Sequence, residues 1–527
     1  MALQSRHGRA TFLHAYWRER ALRPCLRRPV LTVSAVAASS SAAEGRGKAS
    51  GLGSLTFLDF VVPFSTPLAA AIATGVYTGA VGADLAWPLR ALLVGGGPLL
   101  VHLLFPAVDW ALGPSRALAE RQQQQAQQQA LGIKAPGADH FLSRALPCLA
   151  VAVQLLVLLA TYGALAAAAG APAPPLAGAA GAAAAGLQQQ QLLLLPLLVT
   201  SLALSAGMAQ AASHELLHSR HPVHLAAAWL FLTTHWWYPY FRAHHQHHLA
   251  VCTPADYASA PRGLSLAAYL PRYIGSSYTE AWQLAAAECR RAGHPVFSTH
   301  NSCLVALVAQ AALTAALGLA LGPAAALLHG AVCAVLLTYM SVLDYVLHYG
   351  LRRPPLVVAA AAAATAGGVG GGADAAVSTV ADSREVTGVA PAAAGVAAAP
   401  AAGSGAVRYA PVTPFNSWSS LYPLENALFF NVLIHGDHHM TASRSYAWLV
   451  PAPSSPTFPA PINALALATF VPPLWRAAMH ERVDQANSAN LRHLAATGVP
   501  VAAEQGAAEQ GAAEQVAAEQ VAAAGTA

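Results

Sequence analysis

The chain has 527 residues and a formal net charge of +5, with 55% hydrophobic residues and only 10% Asp, Glu, Lys and Arg. A soluble domain carries about 25% charged residues, so this composition and a mean hydropathy of +0.44 argue against a particle solvated by water alone. The small, dispersed positive charge leaves no footprint for nucleic acid. The expected fold class is all-α, a polytopic membrane protein with about six transmembrane helices.

The first 43 residues hold seven arginines and one acid, Glu19, and end in the Ser/Ala-rich "VLTVSAVAASSSAA". Arginine-rich, acid-poor leaders without a sustained apolar run read as organellar transit peptides. Residues 1–45 are therefore expected to direct the chain to a plastid or mitochondrial membrane. Apolar windows follow at 56–80, 88–112, 145–168, 192–213, 303–322 and 325–347, each near the roughly 20 residues that one crossing needs. They lie within a membrane domain spanning 52–490. Low-complexity inserts at 122–129, 164–186 and 355–407, and the "AAEQ" tail of 491–527, read as loops or terminal embellishments.

With an inside N-terminus, the inside loops are 113–144, 214–302 and everything after 348. They contain Arg116, Arg121, Lys134, Arg144, Arg220, Arg242, Arg262, Arg272, Arg290, Arg291, Arg352 and Arg353. The opposite loops hold no Lys or Arg, with Arg90 just inside the second helix. This is the positive-inside asymmetry, and it puts every histidine cluster on one side.

Those clusters carry the chemistry. "SHELLHS" places His214 and His218 at i, i+4 on one helical face. "AHHQHH" supplies His244, His247 and His248, "HGDHH" supplies His435, His438 and His439, and "LHYG" adds His348. Singly, each reads as a helix surface or a solvated loop. Together they are nine histidines at predicted membrane boundaries, where polar groups are rare without function. A mononuclear zinc site takes three or four protein ligands, so nine point to two metal ions. Imidazole suits Fe, Zn, Cu and Ni alike, but only a redox-active pair such as two irons can activate dioxygen. An intramembrane zinc protease would use His214, His218 and an acid such as Asp344, leaving seven histidines without a role. A non-catalytic metal-binding relative is a further alternative.

The sequence resembles the integral-membrane alkane hydroxylases (alkane 1-monooxygenases) of the fatty acid desaturase/hydroxylase superfamily. The resemblance is carried by "HELLHS", "HHQHHLAVCTPADYASAPRG", "DYVLHYGLRR", "PFNSWSS", "HGDHHMTASRSYAWL", "VPPLWRAAMHERV" and "PAVDWALG", over about residues 55–485. It implies a non-haem di-iron centre held by His214, His218, His244, His247, His248, His348, His435, His438 and His439. It also implies insertion of one atom of dioxygen into a terminal C–H bond of an alkane or fatty acyl chain. A desaturase or lipid hydroxylase of the same superfamily is the near alternative. Carboxylates beside such centres usually orient the ligands through hydrogen bonds, and Glu215, Asp256 and Asp437 are the candidates.

This chain departs from the family pattern in three places. Leu347 stands where the family has Glu before the lone histidine, and Ala243 where Glu opens the second box. That box is H-x-x-H-H rather than H-x-x-x-H-H, which turns His244 by about 100° on a helix. Asn416-Ser417-Trp418-Ser419-Ser420 replaces His-Ser-Trp-Asn-Ser. The six cysteines form no C-x-x-C pair, and no G-x-G-x-x-G turn is present, so no rubredoxin, iron–sulfur or flavin site is visible. Electrons are thus expected from a separate rubredoxin- or ferredoxin-type carrier docking on the basic face.

Overall fold

The computed structural model describes residues 57–116, 118, 120, 123, 144–170, 179–356, 407–452 and 454–501. The expected transit peptide, the glutamine tract apart from Gln123, nearly all of the 355–407 insert and the tail beyond residue 501 lie outside the described residues. The described residues are helical, with a few isolated β-bridges and no named strand. In chain order the helices are α1 (Ser65–Thr78), α2 (Trp87–Val94), α3 (Phe105–Leu112), α4 (Ala145–Gly170), α5 (Ala179–Leu217), α6 (Pro222–Thr234) and α7 (Tyr238–Ala250). They continue with α8 (Leu266–Arg291), α9 (Ser302–Leu321), α10 (Pro323–His348), α11 (Pro423–Leu428), α12 (His435–Met440), α13 (Ile462–Ala468) and α14 (Pro472–Ala496).

Five stretches are long and apolar enough to cross a membrane: Phe57–Thr78, Ala145–Ala168, Gln189–Leu217, Ser302–Leu321 and Pro323–His348. Trp87–Val94 and Gly96–Leu112, bent by 64°, make a sixth if taken as one span. These match the six predicted windows to within a few residues. The protein is an integral membrane protein.

The bend has a local cause. The helix breaks at Gly95, with Gly96, Gly97 and Pro98 opening the second arm, and the Ser201 hydroxyl donates to the Val94 carbonyl at 2.6 Å. In a bilayer, freed carbonyls at a helix break need such a donor. A Cβ on Gly97 would lie 2.9 Å from the Ser201 Cα, so glycine is what lets the broken span touch α5.

α5 is the hub. It packs against α1, α4, α6 and α10, and 67% of its apolar window is buried, against 11% for Ser302–Leu321. The 164–186 insert, expected to be a loop, is corrected at both ends. α4 runs on to Gly170 and α5 already begins at Ala179, because alanine has the highest intrinsic helix propensity.

Candidate metal centre

Four helices deliver the nine histidines to one place. His214 lies on the last turn of α5 and His218 just beyond it, α7 carries His244, His247 and His248, α10 ends on His348, and α12 carries His435, His438 and His439. Their ring nitrogens form two groups able to hold metal ions. One is His214, His218, His244, His248 and His438, and the other is His247, His348, His435 and His439; within each, the ligand atoms all lie within 4.8 Å of one another. The groups adjoin, since His248 stacks on His439 at 4.3 Å and His435 stacks on His438 at 5.5 Å between ring centroids.

The division cuts across the sequence boxes. His247 and His248 go to different groups, as do His438 and His439, because adjacent helical residues differ by about 100° in direction. His244 and His248, four apart, share a face, with their Nε2 atoms 3.0 Å apart. The shortened second box therefore still gives both groups a ligand. Exposed His245, which stacks on His218 at 5.7 Å, belongs to neither group. Neither does Asp344, the acid that a zinc protease would require.

The donor set suits metal ions. Nε2 of His244 is 3.0 Å from that of His218, and Nε2 of His435 is 3.1 Å from those of His348 and His439. Metal–imidazole bonds of about 2.0–2.1 Å place neighbouring ligand nitrogens at such separations. Nε2 of His214 and both ring nitrogens of His438 are buried without a hydrogen-bond partner, which costs about 1–3 kcal/mol per group unless something binds them. Burial first, and then neighbouring imidazoles, hold His244, His248, His438 and His439 well below the ordinary histidine range. Burial takes His435 down to about 3. Neutral imidazole is the form that ligates metal. For His247 burial pulls downward, but the Asp256 carboxylate outweighs it and raises the group.

The three candidate carboxylates do different things. Asp256, 2% exposed, accepts from His247 Nδ1 at 2.9 Å, from the Ser259 hydroxyl at 2.6 Å and from the Ala258 amide at 3.1 Å. It thereby holds one imidazole. Glu215 instead pairs with buried Arg144 at 2.8 Å and accepts from the Tyr446 amide at 3.2 Å. Arg144 also donates to the Ser443 carbonyl at 3.3 Å, so the pair ties the foot of α5 to the chain after α12. Asp437 is engaged by Arg444 and by the Val450 amide. Glu215 and Asp437 each have an arginine as charged partner, and both pairs brace the chain around the histidines.

Several further residues hold the frame. Arg353 donates to the carbonyls of Leu249, Val251 and Ala410 at 2.8, 3.3 and 2.9 Å, satisfying open acceptors at the C-terminal end of α7. Asp109 accepts from the amides of Leu424 and Glu425 at 2.8 and 2.9 Å, capping α11. A Cβ on Gly436 would meet Ser455 Oγ at 2.4 Å and the Pro414 carbonyl at 3.1 Å; glycine alone fits between the histidines of this box. Among the described residues the non-glycine positions with positive φ are Trp236, Cys252, Phe430 and Asn431. They flank α7 and precede α12, in keeping with the clustering of backbone strain at functional sites. Ala243 and Leu347, where the family pattern has acids, are both buried.

A membrane-spanning helical bundle with two histidine groups at the feet of its helices defines the class. Residues 190–453, about half of the chain, match the fatty acid desaturase family, and the chain belongs to that family. More particularly, it is similar to alkane 1-monooxygenases. It is 28% identical to alkane 1-monooxygenase 2 of Pseudomonas aeruginosa over 273 residues, which is 51% of this chain and 59% of the relative. It is 27% identical over the same length to alkane 1-monooxygenase 1 of that organism. It is 24% identical to the alkane 1-monooxygenase of Ectopseudomonas oleovorans over 287 residues, 54% of this chain and 60% of the relative. The aligned region thus spans about three-fifths of each of these relatives.

Proposed function

We propose that the protein is a di-iron membrane monooxygenase that hydroxylates a terminal C–H bond of an alkane or fatty acyl chain. The observation that carries this reading is the gathering of nine buried or half-buried imidazoles into two adjoining groups at the feet of the spans. The similarity to alkane 1-monooxygenases supports it. Two irons bound there would supply the reduction of dioxygen, with one oxygen atom going to substrate and the other to water at the expense of two electrons. The histidines of both groups would hold the metals in their neutral form, and Asp256 would fix the tautomer and orientation of His247. Glu215–Arg144 and Asp437–Arg444 would keep α5 and α12 in register so that His214, His218 and His438 face one point. The proposed substrate enters from lipid, and the electrons come from a separate rubredoxin- or ferredoxin-type carrier. Residues 1–45 are proposed to direct the protein to an organellar membrane.

The test is expression in a host fed deuterated alkanes and fatty acids, with mass spectrometry of the products. Terminal alcohols support the reading. Alkenes without alcohols would make the protein a desaturase, and no oxidised product in a metal-loaded, reduced sample would make it a non-catalytic relative.

A further inference from the structure

The rings between α7, α8 and α10 form one unbroken file from a proposed ligand to a part-exposed side chain. Tyr240 stacks on His244 at 4.6 Å and meets His214 edge-on at 5.8 Å between ring centroids. Trp237 lies 6.1 Å from Tyr240, and Tyr273 lies 6.0 Å beyond it. Tyr269 follows at 5.4 Å and Tyr345 at 5.1 Å. The file ends at Tyr349, 5.1 Å from Tyr345, whose hydroxyl is 2.9 Å from Nε2 of part-exposed His480. Tyr349 also follows His348 directly in the chain, so both histidine groups lead to it.

Centroid spacings of about 4.5–7 Å are what aromatic packing favours in any core, and spacing alone carries nothing. The hydroxyl partners carry the inference. A phenol gives up an electron readily only if its proton leaves at the same time to a nearby base. Tyr273 donates to the Asp344 carboxylate and Tyr349 is paired with the His480 imidazole, so the middle and the exit of the file each have a base. Tyr269 and Tyr345 donate to the carbonyls of Ala258 and Leu264, which cannot take a proton; these two rings bridge the pair that can. Trp237, Tyr269, Tyr273, Tyr345 and Tyr349 are all at most 1% exposed. Tyr240 is itself half-buried but lies against the histidine rings; away from those rings, a soluble reductant meets the file at its His480 end.

We propose that this file carries oxidising equivalents from the metal centre to the surface when dioxygen has been activated with no substrate in place. The inference rests on the dioxygen reading above. One electron passes inward from Tyr240, which keeps its proton and is refilled at once through Trp237 from Tyr273. The vacancy then moves from Tyr273 to Tyr349: the Tyr273 proton shifts to Asp344 and returns as that ring is refilled, and the Tyr349 proton shifts to His480. At the exit one electron from a soluble thiol or ascorbate-type reductant refills Tyr349, and the proton on His480 returns to its oxygen. The net change is one electron moved from the external reductant to the centre, with every ring restored; two passages discharge a two-electron oxidant. The histidines are thereby spared oxidation during unproductive cycles.

The experiment uses the iron-loaded, reduced full chain mixed with dioxygen in the absence of substrate. Samples are frozen over milliseconds to seconds for electron paramagnetic resonance, and oxidised residues are mapped by peptide mass spectrometry. The expected result is a neutral tyrosyl radical whose signal narrows when ring-deuterated tyrosine is incorporated. In Tyr349→Phe and, independently, His480→Gln, the radical should persist several-fold longer, and oxidation should shift to peptides bearing Tyr240 and the histidines. Tyr273→Phe should stop the radical short of Tyr349. Dioxygen consumption without an organic radical, or a radical and damage pattern unchanged in all three variants, would overturn the file alone. Absence of any dioxygen consumption by the reduced, iron-loaded wild type would overturn it together with the reading beneath it.

Discussion

Nδ1 of His247 lies 2.9 Å from Oδ2 of Asp256, nine residues on, a hydrogen bond through which a carboxylate holds a histidine of the four-histidine group. The acid is itself fixed by Ser259 and Ala258. Removing such a partner typically costs 10–100-fold in metal affinity. Asp256→Asn keeps the shape and removes the charge, and a roughly tenfold or greater loss of affinity is expected in a competitive chelator titration. Unchanged affinity would mean that the bond only shapes the turn after α7.

Arg144 and Glu215 form an ion pair in which both side chains are almost fully buried, at 0% and 2% exposure. Breaking such a pair on one side strands a charge and costs about 3–5 kcal/mol, whereas replacing both partners with apolar residues is often tolerated. Arg144→Met should therefore lower the thermal midpoint in detergent sharply, and Arg144→Met with Glu215→Leu should recover most of the loss. A double variant no better than the single one would show that the pair does more than brace.

The flanks of the insert are already joined. Leu356 donates to the Arg408 carbonyl at 2.7 Å and Ala410 to the Pro354 carbonyl at 2.9 Å, so the two ends lie side by side. Loop closure costs only about 0.6 kcal/mol per doubling of length. Replacing residues 358–406 with a short Gly/Ser turn should leave membrane insertion and metal content intact, as read by membrane fractionation and elemental analysis. Loss of metal would contradict this.

The basic docking face expected from the sequence is narrower in the structure. Arg262 pairs with Asp484 at 3.1 Å and Arg353 donates to backbone carbonyls, whereas Arg272, Arg290 and Arg291 are exposed. Attraction between exposed charges raises association rates and fades over a Debye length of about 8 Å at physiological salt. Reversing Arg290 and Arg291 to Glu should slow turnover with a reduced acidic carrier several-fold at low salt and little at high salt. Turnover with NAD(P)H alone would refute the need for a carrier.

The spans were legible because a bilayer demands about 20 apolar residues in a row, and the histidines because they are scarce in such a setting. Their division was not. That His247 and His248 serve different groups depends on helix phase and on where the histidine-bearing ends of α5, α10 and α12 meet the rings of α7, which no single box records. The arginine partners of Glu215 and Asp437 were not legible for a related reason. Arg144 lies 71 residues from Glu215, and only the folded bundle brings it alongside. The aromatic file likewise draws on α7, α8 and α10, and its tyrosines read singly as ordinary core.

The central claim is that the two histidine groups hold two irons, and metal content tests it most directly. Freshly purified full-length protein should contain about two irons per chain, since nine imidazoles suit two ions better than one tetrahedral zinc. His218→Ala and His438→Ala, in the five-histidine group, and His435→Ala, in the four-histidine group, should each lower the count. His294→Ala, at an exposed ring outside both groups, should leave it unchanged. One zinc and no iron per chain, or an iron count indifferent to all three ligand variants, would contradict the account.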